Sequence, residues 1–303
     1  VRAYRETIRR AAESSFLDVW YHRLDIERLL SGLDEGEPLD RFGRAARKAT
    51  RKDSARAVRK LTETVDGRIR FVSRPPLVTP VEELVDPAEA EIWVGLLRDL
   101  IEQYAETLPE DRRHLFRHFE FVHMARKVVG VGSVGTRCWI LLFASRRRRD
   151  PLVLQVKEAT ASVLAPWAGA SAYRLQGRRV VEGQRLMQAA SDVFLGWIRN
   201  DRIDGVTRDF YVRQLWDWKL SADVDRMSGP GFADYVAACG AALALAHARS
   251  GDRVAIASYL GKGDNFDRAV ARFARRYADV NERDHGLLLA AIESGRIPAE
   301  PGI

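Results

Sequence analysis

The stretch from Val128 to Ala159 decides the fold prediction, and it reads VVGVGSVGTRCWILLFASRRRRDPLVLQVKEA. Three of its glycines, Gly130, Gly132 and Gly135, have the spacing of a phosphate-binding loop. In such a loop the backbone N–H groups approach a phosphate because no Cβ atom stands in the way. Ser133, at the tip of the predicted loop, would add a further donor to the phosphate. The alternative interpretation of the glycines is a tight hairpin with a bulge.

The residues after the glycines distinguish two kinds of nucleotide-binding loop. In a dinucleotide-binding fold a helix begins at the last glycine, and an acidic residue follows about 20 positions later. Here the segment from Cys138 to Phe143 is aromatic, aliphatic and β-branched, which predicts a strand. A strand, a glycine turn and a second strand are typical of the loop that covers the phosphates in protein kinases.

A third predicted strand, Leu152 to Val156, ends at Lys157, where a kinase-like fold carries the lysine that pairs with phosphates. The alternative is a solvated charge at the end of a strand. A predicted helix from Arg178 to Ala190 follows, and its Glu182 would supply a carboxylate that holds Lys157 in place. The alternative for Glu182 is an exposed glutamate.

Two more strand-like segments, Asp192 to Trp197 and Phe210 to Leu215, complete the predicted sheet. The predicted fold class is therefore α+β. It consists of a small, five-stranded antiparallel sheet of the protein-kinase N-lobe type with flanking helices, and most residues are helical.

Helical periodicity and capping residues predict the remaining elements. The predicted helices are two within residues 2–31, a basic helix from Leu39 to Val65, one that begins at Pro87, one from Asp111 to Ala125, an alanine-rich helix that begins at Pro230, and one from Phe266 to Tyr277. In the last of these, Phe266, Val270, Phe273 and Tyr277 are predicted to face inward. Leu287 to Ile292 is predicted to close the fold. A short strand, Arg68 to Val72, follows a turn at Asp66 and Gly67.

Composition places the 303-residue chain, with 46% hydrophobic and 30% charged residues, among soluble globular proteins. The richest apolar segment, Phe232 to Ala246, contains Asp234 and is shorter than the roughly 18 residues that cross a bilayer. It predicts a packed helix and no membrane span. The N-terminus has no export signal, and neither Cys138 nor Cys239 has a C-x-x-C partner. These features predict buried, reduced thiols and a cytoplasmic location.

Positive charge is concentrated between Arg41 and Lys60, where nine lysines and arginines stand against one acid, Asp53. This segment accounts for the net charge of +7 of the whole chain. One interpretation is a contact surface for an anionic partner, and the other is a solvated helix face. No aromatic residues are interleaved for base stacking, which argues against binding of single-stranded nucleic acid.

Three histidines, His114, His118 and His123, fall in the predicted helix from Asp111 to Ala125. No glutamate stands between the first two and no acidic third ligand accompanies them, so an ordinary helix surface is favoured over a zinc site.

Several long, ordered blocks resemble a bacterial family known as domain of unknown function 2252. The blocks are VVGVGSVGTR (128–137), LQVKEA (154–159), VVEGQRLMQA (180–189), FYVRQL (210–215), AHARSGD (246–252) and YADVNERD (277–284). The family looks like a distant relative of protein kinases and aminoglycoside phosphotransferases. The resemblance implies that Gly130, Gly132 and Gly135 cover the phosphates of ATP. It also implies that Lys157 pairs with those phosphates and that Glu182 is the partner of this lysine.

Members of this family typically carry two blocks upstream, Gly-Asp-x-His-x-x-Asn and Asp-x-Asn-Asp-Phe-Asp. These resemble the catalytic loop and the metal-binding aspartate, in an order that implies a circular permutation. Neither block is present in this sequence. Asp252 follows the alanine-rich helix as a catalytic aspartate would, but Ala257 stands where the catalytic asparagine is required. The catalytic base and the Mg²⁺ ligands are therefore expected outside these residues.

The resulting prediction divides the chain into a mainly helical region (1–126), a kinase-like nucleotide-binding lobe (127–220) and a helical C-lobe part (221–303). Because the first residue is Val, we expect a fragment of a longer protein. The predicted function is the ATP-binding half of a kinase-like phosphotransferase that is inactive alone and whose phosphate acceptor is unknown. The alternatives are a non-catalytic nucleotide sensor and a basic module that binds polyanions through Arg41 to Lys60. The sequence predicts no oligomeric state.

Overall fold

The computed structural model describes residues 1–23, 58, 60–128, 130, 135–145, 151–201, 205–215 and 224–299. Of these residues 52% are helical and 21% lie in strands. The chain forms two compact units. In the described residues, unit 1 comprises 1–23, 186–189 and 224–299, and unit 2 comprises the remainder of the chain from residue 58 to residue 215.

Two antiparallel sheets lie in unit 2. The smaller is a hairpin of β1 (Thr62–Val65) and β2 (Arg68–Phe71). The larger has six strands in the order β3-β4-β5-β6-β8-β7. Its strands are β3 (Val78–Pro80), β4 (Phe119–Lys127), β5 (Cys138–Ser145), β6 (Pro151–Ala159), β7 (Gly196–Asn200) and β8 (Arg208–Gln214).

The helices of unit 2 are α3 (Pro87–Glu106), α4 (Glu110–Phe116), the short α5 (Ala165–Ala168) and most of α6 (Gln176–Met187). The helices of unit 1 are α1 (Arg2–Glu13), α2 (Phe16–Tyr21), α7 (Gly229–Ser250), α8 (Arg253–Leu260) and α9 (Asn265–Glu293).

The central strand β5 is apolar over nearly its whole length because both faces of the sheet are covered there. Side chains alternate along it, so Leu141 and Phe143 join one core cluster, whereas Ile140 and Leu142 join another. We name the side that carries Phe143 the aromatic face of the sheet. The side that carries Ile140 is the mixed face.

The aromatic face is packed against α3 and α4. The ring of Phe116, at the end of α4, lies 5.2 Å from Phe143 of β5 and 5.2 Å from Tyr104 of α3. The hydroxyl of Tyr104 donates to the carbonyl of Phe194, which fixes the turn before β7. This cluster is the largest apolar core in the described part of the chain.

The mixed face is covered in two places. Near β4 and β5, the side chains of Val58, Leu61 and Phe71 pack against a patch that includes Ile140 and Leu142. Near β7 and β8, helix α6 lies so close to the sheet that a Cβ atom on Gly177 would stand 2.2 Å from a backbone oxygen of β8.

Asp209 of β8 fixes the start of α6. Its carboxylate accepts a hydrogen bond of 2.6 Å from the backbone N–H of Gln176, the first residue of the helix. The same carboxylate accepts a bond of 2.8 Å from Nε of Arg199 on β7. Because a carboxylate satisfies free N–H groups at a helix N-terminus, this pairing also stabilises the first turn.

Unit 1 has a core of small and aliphatic residues, namely Ile8, Ala11, Val19, Ala244, Ala248 and Leu260. Helix α7 packs against α1 at Gly240, where a Cβ atom would lie 3.3 Å from the backbone nitrogen of Tyr4. The Arg5 guanidinium pairs at 2.8 Å with Asp267 of α9. This pair raises the pKa of Arg5 and lowers the pKa of Asp267.

The predicted α+β class is confirmed, but the five-stranded kinase-type sheet is wrong. The sheet has six strands, because β3 adds an edge strand beyond β4. Residues 119–127 form β4 rather than the end of the predicted helix Asp111 to Ala125, which stops at Phe116. The aromatic and β-branched residues of this segment pair with β5, and that pairing outweighs a weak helical pattern.

Two other strand boundaries differ from the prediction. Thr62–Val65 is a strand rather than the end of the basic helix, and β-branched threonine and valine favour that conformation. The predicted strand from Asp192 to Trp197 begins only at Gly196. The Asp192 carboxylate accepts hydrogen bonds from the backbone of Phe194 and Gln214, so the chain turns before the strand starts.

Helix α9 unites two segments that were predicted separately, and it extends without a break from Asn265 to Glu293. The predicted inward position is wrong for Phe273 and Tyr277, which are 66% and 58% exposed, and holds for Phe266, which packs against the core of unit 1. The prediction of two buried thiols is wrong for Cys239, which is exposed, and holds for Cys138.

Helix α7 is the one helix in the described residues that is long and apolar enough to cross a membrane. Only 11% of its most apolar 18-residue segment is buried. The helix that was predicted to be packed therefore contacts the rest of the protein along one narrow face. Length and composition alone are weak evidence for a membrane span, because helices of soluble proteins pass the same test.

The predicted boundary between residues 126 and 127 falls within β4, and β3 and β4 belong to the same sheet as β5. The basic segment Arg41 to Lys60 lies outside the described residues except for Val58 and Lys60.

Candidate functional site

The predicted phosphate loop connects β4 to β5. Gly130 and Gly135 have φ angles of 78° and 79°, a backbone conformation that glycine adopts without strain. Gly132 and Ser133 lie outside the described residues, so their predicted contact with a phosphate stays a prediction. The loop starts and ends at one end of the sheet, between Lys127 and Cys138.

Lys157 lies at that same end of the sheet. On β6 it is the direct partner of Cys138 on β5 and of Tyr211 on β8. Directly paired residues on antiparallel strands point to the same side, so these three side chains share the mixed face. Trp197 of β7, the partner of Tyr211, continues the row. The predicted strand end at Lys157 differs from the structure, because β6 continues to Ala159; the predicted contact of Lys157 with a phosphate stays a prediction.

In the described residues, the cations that act on the Cys138 thiol are Lys157, its direct partner between β5 and β6, together with Lys127 and Arg213. Burial raises the pKa of this thiol. The positive charges of Lys157, Lys127 and Arg213 and a hydrogen bond with Gln155 act to lower the pKa. Lys127 ends β4, Lys157 is paired with Cys138, and Arg213 is paired with Gln155, so the strand register places all three cations on the mixed face at the base of the glycine loop. We name Lys127, Lys157 and Arg213 the basic triad.

Polar side chains next to the triad are held in place by the sheet. Arg213 Nε donates to Gln155 Oε1 at 3.2 Å, and Gln155 is only 3% exposed. Burial raises the pKa of Tyr211, while Arg213 acts to lower it. In the described residues the guanidinium of Arg213 thus donates to a neutral amide, that of Gln155. This hydrogen bond leaves the positive charge of Arg213 without a compensating negative charge.

The nearest acid in sequence, Glu158, does not face the triad. It follows Lys157 on β6 and therefore points to the opposite side of the sheet. Its carboxylate accepts a bond of 2.9 Å from the backbone N–H of Arg137 and lies 3.7 Å from Nε of Arg208.

The predicted ion pair between Lys157 and Glu182 does not form in this structure. The Glu182 carboxylate lies 3.8 Å from Nε of Arg178 and 3.7 Å from NH1 of Arg185, both on its own helix. The same arginines lie over the ring of Trp197, at 5.5 and 5.9 Å from its centre. Glu182 therefore belongs to the surface by which α6 contacts the sheet.

The comparison with protein families identifies a match over residues 1–291 to the model described as "Uncharacterized protein conserved in bacteria (DUF2252)". The chain belongs to the DUF2252 family. The predicted membership is thereby confirmed, while the kinase-like resemblance is not shown by this match. No curated protein and no solved structure matches the chain.

In this DUF2252 chain the described residues contain no group of three His, Cys, Asp or Glu side chains that could hold a metal ion. For His114 and His118 an ordinary helix surface was predicted in preference to a zinc site. Both side chains are exposed, and their rings meet edge to face at 5.5 Å. His123 is instead largely buried. Its Nδ1 accepts from the N–H of Phe71 at 3.1 Å, and its Nε2 lies 3.1 Å from Glu82.

Sequence reasoning on this DUF2252 chain found Lys157 but missed the other members of the site, Lys127, Gln155, Tyr211 and Arg213. One signal was available. Gln155 and Lys157, and likewise Tyr211 and Arg213, stand two residues apart in predicted strands. Polar residues at that spacing share one face of a sheet, and their presence in otherwise apolar strands marks a face that is not only a core.

Proposed function

We propose that the basic triad binds the phosphate groups of a nucleoside triphosphate such as ATP, and that the loop between Lys127 and Cys138 covers them. The observation that carries this proposal is three cations, Lys127, Lys157 and Arg213, on one face of the sheet at the base of a glycine loop. Clustered positive charges in a partly buried position repel one another, and a bound phosphate would relieve that repulsion.

The order of elements along the chain is a second source of support. The glycine hairpin is followed by the lysine strand β6, the helix α6 and the strands β7 and β8. This is the order that the kinase resemblance implies, although the sheet has an additional edge strand. In the proposal Lys157 and Lys127 neutralise phosphate charge, and Arg213 is oriented by Gln155 toward the same anion.

Mg²⁺ was expected to accompany ATP. The described residues do not provide a cluster of ligands for it, so we assign it no position in this part of the chain. The proposal is therefore one of binding and phosphate orientation, in the cytoplasm. Whether the phosphate is then transferred to an acceptor, or only sensed, is decided by a phosphate-release assay with ATP.

The proposal is tested by calorimetry with ATP and with inorganic tripolyphosphate on the full chain. We expect both to bind, and we expect Lys157→Met and Arg213→Met each to lower the affinity by about tenfold or more, because each removes one charge-assisted contact. Lys262→Met is the matched control, since this lysine is exposed and lies in unit 1.

Equal affinity in the parent chain and in both triad variants would contradict the proposal. Binding of ATP without competition by tripolyphosphate would also contradict it, since the contacts invoked here are to phosphates alone. Far-ultraviolet circular dichroism of each variant separates loss of binding from loss of fold.

A further inference from the structure

Helix α9 is fixed at its two ends and exposed between them. At its start, Asp267 pairs with Arg5 and Phe266 packs against the core of unit 1. At its end, Ala291 is 3% exposed and accepts a hydrogen bond from the N–H of Ile297. From residue 271 to residue 290 no side chain is buried. That exposed section is about 30 Å long at 1.5 Å per residue.

The exposed section carries an apolar stripe at alternating spacings of three and four residues. The stripe consists of Val270, Phe273, Tyr277, Val280 and Leu287, and Asp284 is the one charged residue at this spacing. Phe273, Tyr277 and Leu287 are 66%, 58% and 61% exposed, and the first two rings stack at 5.8 Å. A helix with this repeat ordinarily buries the stripe against a second helix.

The charges of α9 are divided between its two halves. Residues 265–277 contain four arginines and one acid, whereas residues 278–293 contain four acids and one arginine. Acids near the C-terminal end and the absence of a basic residue in the last turn oppose the helix dipole. Few of these charges pair locally; Arg268 pairs with Asp264 at 3.3 Å, and Arg283 with Asp284 at 3.6 Å. The charge division is therefore not explained by stabilisation of the helix itself.

We propose that α9 pairs with α9 of a second copy of this chain, in antiparallel orientation. In that orientation the basic half of each helix lies beside the acidic half of the other. The stripe then matches itself, with Val270 facing Leu287, Phe273 facing Asp284 and Tyr277 facing Val280 of the other copy. A parallel pair would instead bring Arg272, Arg275 and Arg276 next to their own copies. The proposal does not depend on nucleotide binding.

Charge reversal tests the pairing. One variant carries Arg272→Glu, Arg275→Glu and Arg276→Glu, and a second carries Asp279→Arg and Glu282→Arg. In sedimentation velocity we expect the parent chain to form a dimer at micromolar concentrations. Each variant alone should dissociate at least about tenfold more readily, because like charges now face each other. An equimolar mixture of the two variants should form the heterodimer, since opposite charges again face each other.

The control reverses three exposed arginines elsewhere, with Arg68→Glu, Arg98→Glu and Arg117→Glu, and should leave the dimer unchanged. A monomeric parent chain overturns the proposal, and so does a dimer that both charge variants retain. A monomer in which α9 is protected from hydrogen exchange would show that another segment of the chain covers the stripe, and this also overturns it.

Cysteine cross-linking tests the orientation in a Cys239→Ser background, since Cys239 is exposed. Val270→Cys and Leu287→Cys chains should cross-link when mixed and not when each is oxidised alone. Cross-linking of Val270→Cys with itself would indicate a parallel pair and would contradict the proposed register.

Discussion

The two faces of the six-stranded sheet are built from the same strands and differ in almost everything else. On the aromatic face, Phe116, Phe143 and Phe194 form a continuous core under α3 and α4. On the mixed face, an apolar cover near β4 and β5 and helix α6 near β7 and β8 accompany the basic triad, which includes Lys157. The comparison shows how alternation along a strand lets one side fix the fold while the other presents charge.

The largest expected effect is on the aromatic face. Phe143 is 1% exposed, so Phe143→Ala should lower the free energy of unfolding by about 3–5 kcal/mol, because it removes buried apolar surface and leaves a cavity. On the mixed face, Lys157→Ala should change this free energy by less than about 0.5 kcal/mol. Urea denaturation measures both. Comparable losses in the two variants would mean that Lys157 is a structural residue, and the contrast between the faces would fail.

A smaller effect concerns the contact of α6 with the mixed face. Gly177→Ala should destabilise the protein by about 1–3 kcal/mol, because the new methyl group would meet the backbone oxygen of Phe210 at 2.2 Å. Gly183 is the matched control on the same helix. A Cβ atom there meets nothing within 4 Å, so Gly183→Ala should stabilise by about 0.5–1 kcal/mol. If both substitutions have the same sign in thermal denaturation, the close approach of α6 is incorrect.

The smallest effect concerns pH and the cover formed by the β1–β2 hairpin. Burial lowers the pKa of His123 below its ordinary 6.5, while Glu82 acts to raise it and Arg70 to lower it. The unfolded chain therefore binds a proton more readily than the folded one, and the neutral His123 stabilises the fold above pH 6.5. That contribution is lost as the pH falls through the lowered pKa, when the hydrogen bond from Phe71 to Nδ1 must also break.

The measurement for His123 is the slope of unfolding free energy against pH in weakly acidic buffer. The slope should be shallower in His123→Gln than in the parent chain, and His118→Gln, at an exposed position, should leave it unchanged. An identical slope in all three chains would show that His123 does not sense pH.

The sequence was most informative where local pattern and tertiary pairing agree. The glycines and the apolar run of β5 after them predict two strands joined by a glycine turn, and β4 and β5 pair antiparallel across that connection. The start of β4 was not predicted, because residues 111–125 show a helical pattern as far as Phe116 and only pairing with β5 selects a strand beyond it. The edge strand β3 is three residues long, and so short a segment carries no periodicity.

The candidate site was predicted in part for a similar reason. Lys157 was found because it follows a short apolar run, Leu152 to Val156, that comes after the glycine loop. Its proposed partner Glu182 has arginines four residues before it and three residues after it, and these neighbours on the same helix compete for the carboxylate. Arg213 was missed because its neighbours in β8 are largely apolar or aromatic, and its place beside Lys157 depends on the register between β6 and β8.

Asp209 joins α6 to two strands of unit 2 at a single carboxylate. Its bonds to Gln176 and Arg199 attach the first turn of α6 to β8 and β7. A displacement of α6 along the sheet would have to break a bond of 2.6 Å or carry β8 with it. Because Tyr211 and Arg213 lie on that same strand, Asp209 ties the position of α6 to the position of these two side chains.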